Sequence, residues 1–448
     1  MLAIIHGWSD TSRSFRHLGE TLVSEGVVEG VRHVRLGDYI SLDDDITFDD
    51  LADALEKAWR DDELPTRHRS VDVLVHSTGA LVVRHWMTRY HKPASNPVRR
   101  FVMLAPANYG SPLAHKGRSF IGRVAKGFKI SKPFQTGSHI LEGLELASPF
   151  SWELAQRDVF AREAWYGPGG VLATVLVGTS GYSGISAAAN EPGTDGTVRV
   201  ATANLNAAFV SFDFSTDPQK PTLSFRNPSG IAAFARIGGE NHSTIALKDR
   251  GPKSQDTLPI IKQALGVTDA GFARFAQELE QHTELTRRAE EGDKYRHGYQ
   301  NTVVRVSDNH GAGVQDYFLE LFGKKPDDGK PEQAKPDDVL TCQIQENVVT
   351  TVHANELNPS YRSLHLDWSE LQRIVVGNNR ALYISLTAMP DINRTRSVGY
   401  STVGYDDIGS IKLTAAKLKE FIKPDRTMLV DVVIRRMQED GVFRFSGL

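Results

Sequence analysis

The segment Val75-His76-Ser77-Thr78-Gly79 places a serine between an apolar run, Val71–Val75, and the helical pattern ALVVRHWMTRY. A serine on a tight strand-to-helix turn has its Oγ pushed out at the end of a sheet. There a histidine can reach it, and the helix N-terminus helps to stabilise negative charge. Gly79 suits the close approach of helix and strand, whereas Val75 stands where the usual pattern has glycine. These residue types at this spacing point to nucleophilic chemistry with Ser77 as the attacking group.

A serine nucleophile needs a base, an acid and a site for the oxyanion, with the side chains in the order Ser, acid, His. Glu240-Asn241-His242-Ser243-Thr244 directly follows the apolar run AAFARIGG. His242 is therefore expected beyond a strand's carboxyl end, on the same edge as Ser77, as general base. His76 is expected to point away from Ser77 on the turn. For the acid, Asp195 lies in the Gly/Pro-rich segment EPGTDGTV, after the apolar run Val171–Val177. Its role would be to hold the imidazole tautomer and stabilise the imidazolium without taking the proton. Asp213 and Asp217 compete, being nearer His242, but Asp213 sits within the apolar run Ala208–Phe214 and Asp217 precedes a proline. Upstream, His6-Gly7-Trp8 ends the first apolar run, and the backbone N–H groups of Trp8 and Thr78 are the expected oxyanion donors. Losing one such donor typically costs about 3–4 kcal/mol in the transition state. His6 itself reads as a loop-organising side chain.

Positioning these groups requires a sheet. Leu2–Ile5, Val31–Leu36, Val71–Val75, Phe101–Ala105, Val171–Val177 and Ala232–Ile237 are short apolar runs. Between them lie amphipathic stretches such as Ser14–Glu25, Phe48–Asp61 and Ala80–Tyr90, the second with a start signal in Thr47 and Asp50. Strand and helix in alternation mean βαβ units and a parallel sheet covered on both faces. About 65 residues separate Ala105 from Val171, far more than a plain crossover needs. Their apolar, helix-compatible content predicts a cap over the carboxyl edge of the sheet, about 112–168.

The segment Thr268–Lys294 is polar and helical and reads as a linking helix. Beyond it the runs Tyr299–Val306, Tyr317–Phe322, Val339–Ala354, Ser363–Leu371, Arg380–Ala388, Ser397–Tyr400, Met428–Met437 and Val442–Phe445 are β-rich, and Gly, Pro, Asn and Asp separate them. Strands at this spacing without intervening helices suggest an antiparallel sandwich. The expected organisation is a catalytic α/β domain over 1–266, a linking helix over 267–296 and a β-rich domain over 297–448.

With 448 residues, 40% hydrophobic and 24% charged, the chain is long enough for two folded domains. A net charge of −3 argues against a nucleic-acid binder. The single cysteine, Cys342, excludes an intramolecular disulfide and a Cys-rich zinc site. MLAIIHGWSD has no basic leader and too short an apolar run for a signal peptide, and no stretch reaches about 18 uninterrupted apolar residues. A cytoplasmic chain as synthesised, exported if at all by a signal-independent route, is the expectation. Asp43-Asp44-Asp45 reads as a solvated loop before a helix rather than a metal site.

With these residues located, roughly the first 265 positions resemble the α/β-hydrolase superfamily, in its lipase and esterase branch. VHSTGALVVRHWM resembles the nucleophile turn and following helix of bacterial lipase-like proteins. LAPANYGSPLA resembles the segment after the next strand, and GTDGTVRV and GENHSTI the acid and histidine segments. The resemblance implies hydrolysis of a carboxylic ester with an acyl chain, such as a phospholipid, through an acyl-enzyme and without a cofactor. By analogy with some lipases it allows a calcium ion near the acid loop, although no dense acidic cluster demands one. A small-ester esterase or thioesterase is the alternative within enzymes. An interaction protein whose β-rich part docks on a membrane surface or protein partner is the alternative outside them.

Overall fold

The computed structural model describes residues 1–5, 15–34, 45–114, 138–217, 221–248, 251–324, 337–388, 398–400 and 411–438. They form two compact units, the first Met1–Ala207 with Asn227–Gly298 and the second Ala208–Arg226 with Tyr299–Leu448. Among the described residues no helix is long and apolar enough to cross a membrane.

In chain order, the first unit runs β1 (Leu2–Ile5), α1 (Arg16–Ser24), β2 (Val31–Val34), α2 (Phe48–Asp61), β3 (Val71–His76), α3 (Gly79–Tyr90) and β4 (Val98–Leu104). Then come α4 (Ser138–Leu144), α5 (Pro149–Arg157) and β5 (Leu172–Gly178). The chain leaves this unit for β6 (Ala208–Asp213) and β7 (Thr222–Arg226). It returns for β8 (Ala233–Ile237), α6 (Thr257–Gly266) and α7 (Asp269–Ala289). The sheet is β2-β1-β3-β4-β5-β8, parallel throughout. Every residue of β1, β3, β5 and β8 is buried, as a sheet covered on both faces requires. Strand order reverses between β1 and β3, so a crevice opens there at the carboxyl edge.

Right-handed crossovers put α2 and α3 on one face. They pack through Trp59 and Trp86, with ring centroids 4.6 Å apart. The start signal of α2 is a capping box, in which Thr47 Oγ1 accepts from Asp50 N–H and the Asp50 carboxylate accepts from Thr47 N–H. Those Thr47 contacts hold the Asp50 carboxyl below the usual carboxylate range.

Helix α3 is anchored by a buried ion pair. Arg84 donates through Nε to Asp158 Oδ2 at 2.7 Å and through Nη2 to Asp158 Oδ1 at 3.0 Å, both side chains being fully buried. Tyr166 donates to Asp158 Oδ2 at 2.6 Å, and Arg84 Nη1 donates to the Asn108 carbonyl at 3.2 Å. Burial opposes the guanidinium charge, yet the adjacent Asp158 carboxylate raises its pKa above the ordinary value. The helix after Ser77 is thereby fixed both to the segment after β4 and to the end of α5. Of the expected cap, α4 and α5 are described, while residues 115–137 lie outside the described residues.

Helix α7 packs along β8 with Phe272, Phe275 and Leu279 buried, and Arg236 of β8 pairs with Glu290 at 2.9 Å. It therefore completes the first unit instead of bridging to the next. The second unit continues with β9 (Tyr299–Asp308), β10 (Tyr317–Phe322), α8 (Asp338–Gln343), β11 (Val349–Ala354), β12 (Tyr361–Asp367), α9 (Trp368–Leu371), β13 (Leu382–Ala388) and β14 (Val398–Tyr400). It ends with β15 (Ile411–Leu413), α10 (Ala415–Phe421), β16 (Thr427–Ile434) and β17 (Arg436–Gln438). It is β-rich, as expected, but its large sheet, β11-β12-β9-β16-β6-β7, is mixed. Pairing is antiparallel except at β16, which runs parallel to both β9 and β6. A smaller sheet, β10-β13-β15, is antiparallel.

Three details differ from the sequence expectation. The run Ala208–Phe214 belongs to the second unit because its strand finds β16, near the other end of the chain, as partner. Val339–Ala354 begins as a helix, for which Asp337 supplies the cap by accepting from Leu340 N–H, and turns into a strand only at Val349. The run Ser363–Leu371 likewise splits into β12 and α9. Val442–Phe445 lies outside the described residues.

Replacing Asp158 by alanine leaves the Arg84 charge buried and unpaired, so urea unfolding is expected to show a loss of about 3–5 kcal/mol. The double variant Arg84→Met/Asp158→Leu should lose much less. Equal losses would show that packing, not the uncompensated charge, sets the cost.

Candidate active site

Strand β3 ends at His76, and Ser77 adopts φ +55, a left-handed backbone that a non-glycine residue rarely holds. The turn is pinned where Ser77 N–H donates to the Leu104 carbonyl of β4 at 3.0 Å. Thr78 then opens α3 with helical geometry. The Val75 position is fully buried in the sheet, so a valine is accommodated without displacing the turn.

Three strand ends deliver the side chains singled out from the sequence. Ser77 follows β3, Asp195 lies on the loop after β5, and His242 on the loop after β8. His242 Nε2 stands 3.1 Å from Ser77 Oγ, and His242 Nδ1 stands 3.0 Å from Asp195 Oδ2. Asp195 is fully buried and His242 is 7% exposed. The carboxylate has further work: its Oδ1 accepts from Thr197 N–H at 2.9 Å and from Val198 N–H at 2.8 Å. Three donors in all spread its charge, so burial does not leave an uncompensated anion. The backbone links the two loops as well, since His242 N–H donates to the Asp195 carbonyl at 3.0 Å. Asp213, by contrast, ends β6 in the second unit, where it accepts from Ser215 N–H. Of the expected oxyanion donors, Thr78 sits at the head of α3, and Trp8, with His6, lies outside the described residues.

Sequence reasoning missed the groups that hold the histidine loop. Glu240, fully buried, accepts through Oε1 from Lys253 N–H, Ser254 N–H and Thr257 Oγ1. Asn241 Oδ1 accepts from Ser243 N–H and Thr244 N–H, an Asx turn that closes the loop on itself. His76 was expected to face away from Ser77, and it does so by turning onto His242. Its Nε2 donates to the His242 carbonyl at 2.8 Å, and the two rings lie 4.6 Å apart. A carbonyl only accepts, so Nε2 carries the proton, and Nδ1 is left to accept from Lys248 Nζ at 3.5 Å. Two glycines permit the approach of these loops. A Cβ at Gly178 would meet the Glu240 carbonyl oxygen at 2.2 Å, and one at Gly196 (φ +94) would meet the Tyr182 ring at 2.7 Å. The arrangement offers a half-buried hydroxyl, a base within hydrogen-bonding reach, and a buried carboxylate that orients the base.

No protein-family model matches the sequence, and no curated protein matches it either. Among solved structures, phospholipase PlaB from Legionella pneumophila is similar over the whole chain. It shows 25% identity and a TM-score of 0.80, and the match covers 100% of this chain and 96% of that one. The same phospholipase in complex with thio-NAD matches at 23% identity with a TM-score of 0.79 and the same coverage. The chain thus has an α/β-hydrolase fold of the lipase and phospholipase kind with a β-rich second unit, and the likeness supports an ester hydrolase.

A fluorophosphonate that reacts with activated serines is expected to modify the native chain once, and Ser77→Ala should abolish that mass shift. Gly178→Ala, by pushing the Glu240 backbone and with it His242, should slow labelling by one to two orders of magnitude. Labelling of Ser77→Ala at the native rate would remove Ser77 from the site.

Proposed function

We propose that the protein is a lipase or phospholipase that hydrolyses acyl esters through a Ser77–His242–Asp195 triad. The observation that carries this reading is the unbroken hydrogen-bonded path from Ser77 Oγ through His242 to the buried Asp195. The whole-length similarity to a phospholipase supports its substrate class.

In the first half-reaction, His242 Nε2 takes the Ser77 Oγ proton as Oγ bonds to the ester carbonyl carbon. The carbonyl oxygen becomes the oxyanion and accepts from Thr78 N–H at the head of α3, with Trp8 N–H as the second donor. Collapse breaks the bond to the leaving alcohol, which collects the proton from His242 and departs, leaving the acyl group on Ser77. Water then gives a proton to His242, attacks the acyl carbon, and releases the fatty acid as Oγ regains its proton. Asp195 stays ionised throughout, supported by Thr197 N–H and Val198 N–H, and stabilises the imidazolium in each half-reaction. No cofactor enters these steps. The β-rich unit is read as the part that docks the enzyme on a membrane surface or partner.

Product analysis by mass spectrometry on phosphatidylcholine and phosphatidylglycerol vesicles tests the reading. Fatty acid and lysophospholipid should accumulate with the native chain and be absent with Ser77→Ala. Turnover of p-nitrophenyl acetate with untouched vesicles would replace it with a small-ester esterase. His76→Ala should leave KM nearly unchanged and lower kcat roughly tenfold to a hundredfold, because it frees the backbone that positions the base. An unaltered kcat would show that the Asx turn and Glu240 suffice.

A further inference from the structure

The second unit contains a cavity of about 120 Å³ between its six-stranded sheet and its three-stranded sheet. Val304, Leu366 and Val430 line it from the large sheet, Leu321 and Ile384 from the small one, and Phe421 of α10 covers one end. The register explains the wall: Val304 lies opposite Val430, and Val430 opposite Val210, so alternate residues of successive strands face inward together. Protein interiors are close-packed, with few voids larger than a water molecule. Apolar cavities of about this size, roughly 150 Å³, stay dry and take up small hydrocarbon guests.

At one end the lining reaches the surface. Leu223 on the edge strand β7 is 49% exposed, and its neighbour Phe225 stacks edge-on against Phe421. One helical turn before Phe421 stands Lys417, and Lys412 of β15 also lines the cavity; both are exposed and in no ion pair among the described residues. The result is an apolar slot with an apolar lip and two cations in its lining.

We propose that this cavity binds a single short acyl chain bearing a carboxylate, about six carbons long, with its tail between the sheets and its carboxylate at Lys412 and Lys417. Burial of the tail supplies the affinity, and the ammonium groups select an anionic over a neutral head group. Binding here does not depend on the proposed hydrolysis.

The test is a titration of full-length Ser77→Ala with hexanoate and with 1-hexanol, read by isothermal calorimetry. One saturable site is expected for each ligand. The double variant Lys412→Glu/Lys417→Glu, a surface change, should weaken hexanoate at least tenfold and leave hexanol unchanged. Ile384→Phe, shown by circular dichroism to be folded, should abolish both. Hexanoate affinity unchanged in both variants, or no saturable binding by Ser77→Ala, overturns the proposal. Inactivity on vesicles would defeat the reading of the catalytic site and leave this titration intact.

Discussion

Everything at the candidate active site depends on one strained residue. A left-handed backbone at Ser77 costs on the order of 1–3 kcal/mol for a residue with a Cβ, and it persists only where the surroundings over-determine it. Here they do so from both sides. Strand β3 is buried along its whole length and hydrogen-bonded to β1 and β4. Helix α3 is buried over Gly79–Met87 and clamped by Arg84 to Asp158. The strain turns the chain through the narrow angle that presents Oγ to His242, and the sheet and helix absorb it.

The same sheet explains why residues so far apart in sequence meet. Parallel strands all end on one edge, so loops after β3, β5 and β8 emerge side by side whatever the chain does in between. Ser77, Asp195 and His242 need no long-range instruction beyond lying just past those ends. What they do need is fine placement. That comes from backbone donors to Asp195, from the Asx turn of Asn241, from the cradle around Glu240, and from His76 under the His242 carbonyl.

This division matches what is legible in the sequence. Apolar runs bounded by turn residues mark the strands of the first unit, because a doubly covered strand must be apolar throughout and its loops polar. Ser77, Asp195 and His242 stand out as functional types at the ends of such runs. The supporting residues do not stand out. Glu240 and His76 are polar residues whose partners lie on other loops, and neither spacing nor composition reveals which way they point. In the second unit the pattern says less, since strand runs there resemble the short helices that interrupt them, as at Val339–Ala354 and Ser363–Leu371. Pairing partners were hidden altogether. Nothing in AFVSFD distinguishes a strand that pairs nearby from one that waits for TMLVDVVI.

That last pairing bears on how the chain is made. Strands β6 and β7 leave a ribosome well before β16, to which β6 must bond, and before β9, which flanks β16 on its other side. Until the final strands are synthesised, a hairpin with Phe209, Val210 and Phe212 has an open edge and an uncovered apolar face. Such an edge is a template for pairing with another chain. The order of synthesis therefore makes this hairpin a hazard for aggregation, and it ties the two units into a common fate. A chain that stops early does not yield a smaller hydrolase; it yields one with a sticky strand protruding from the middle.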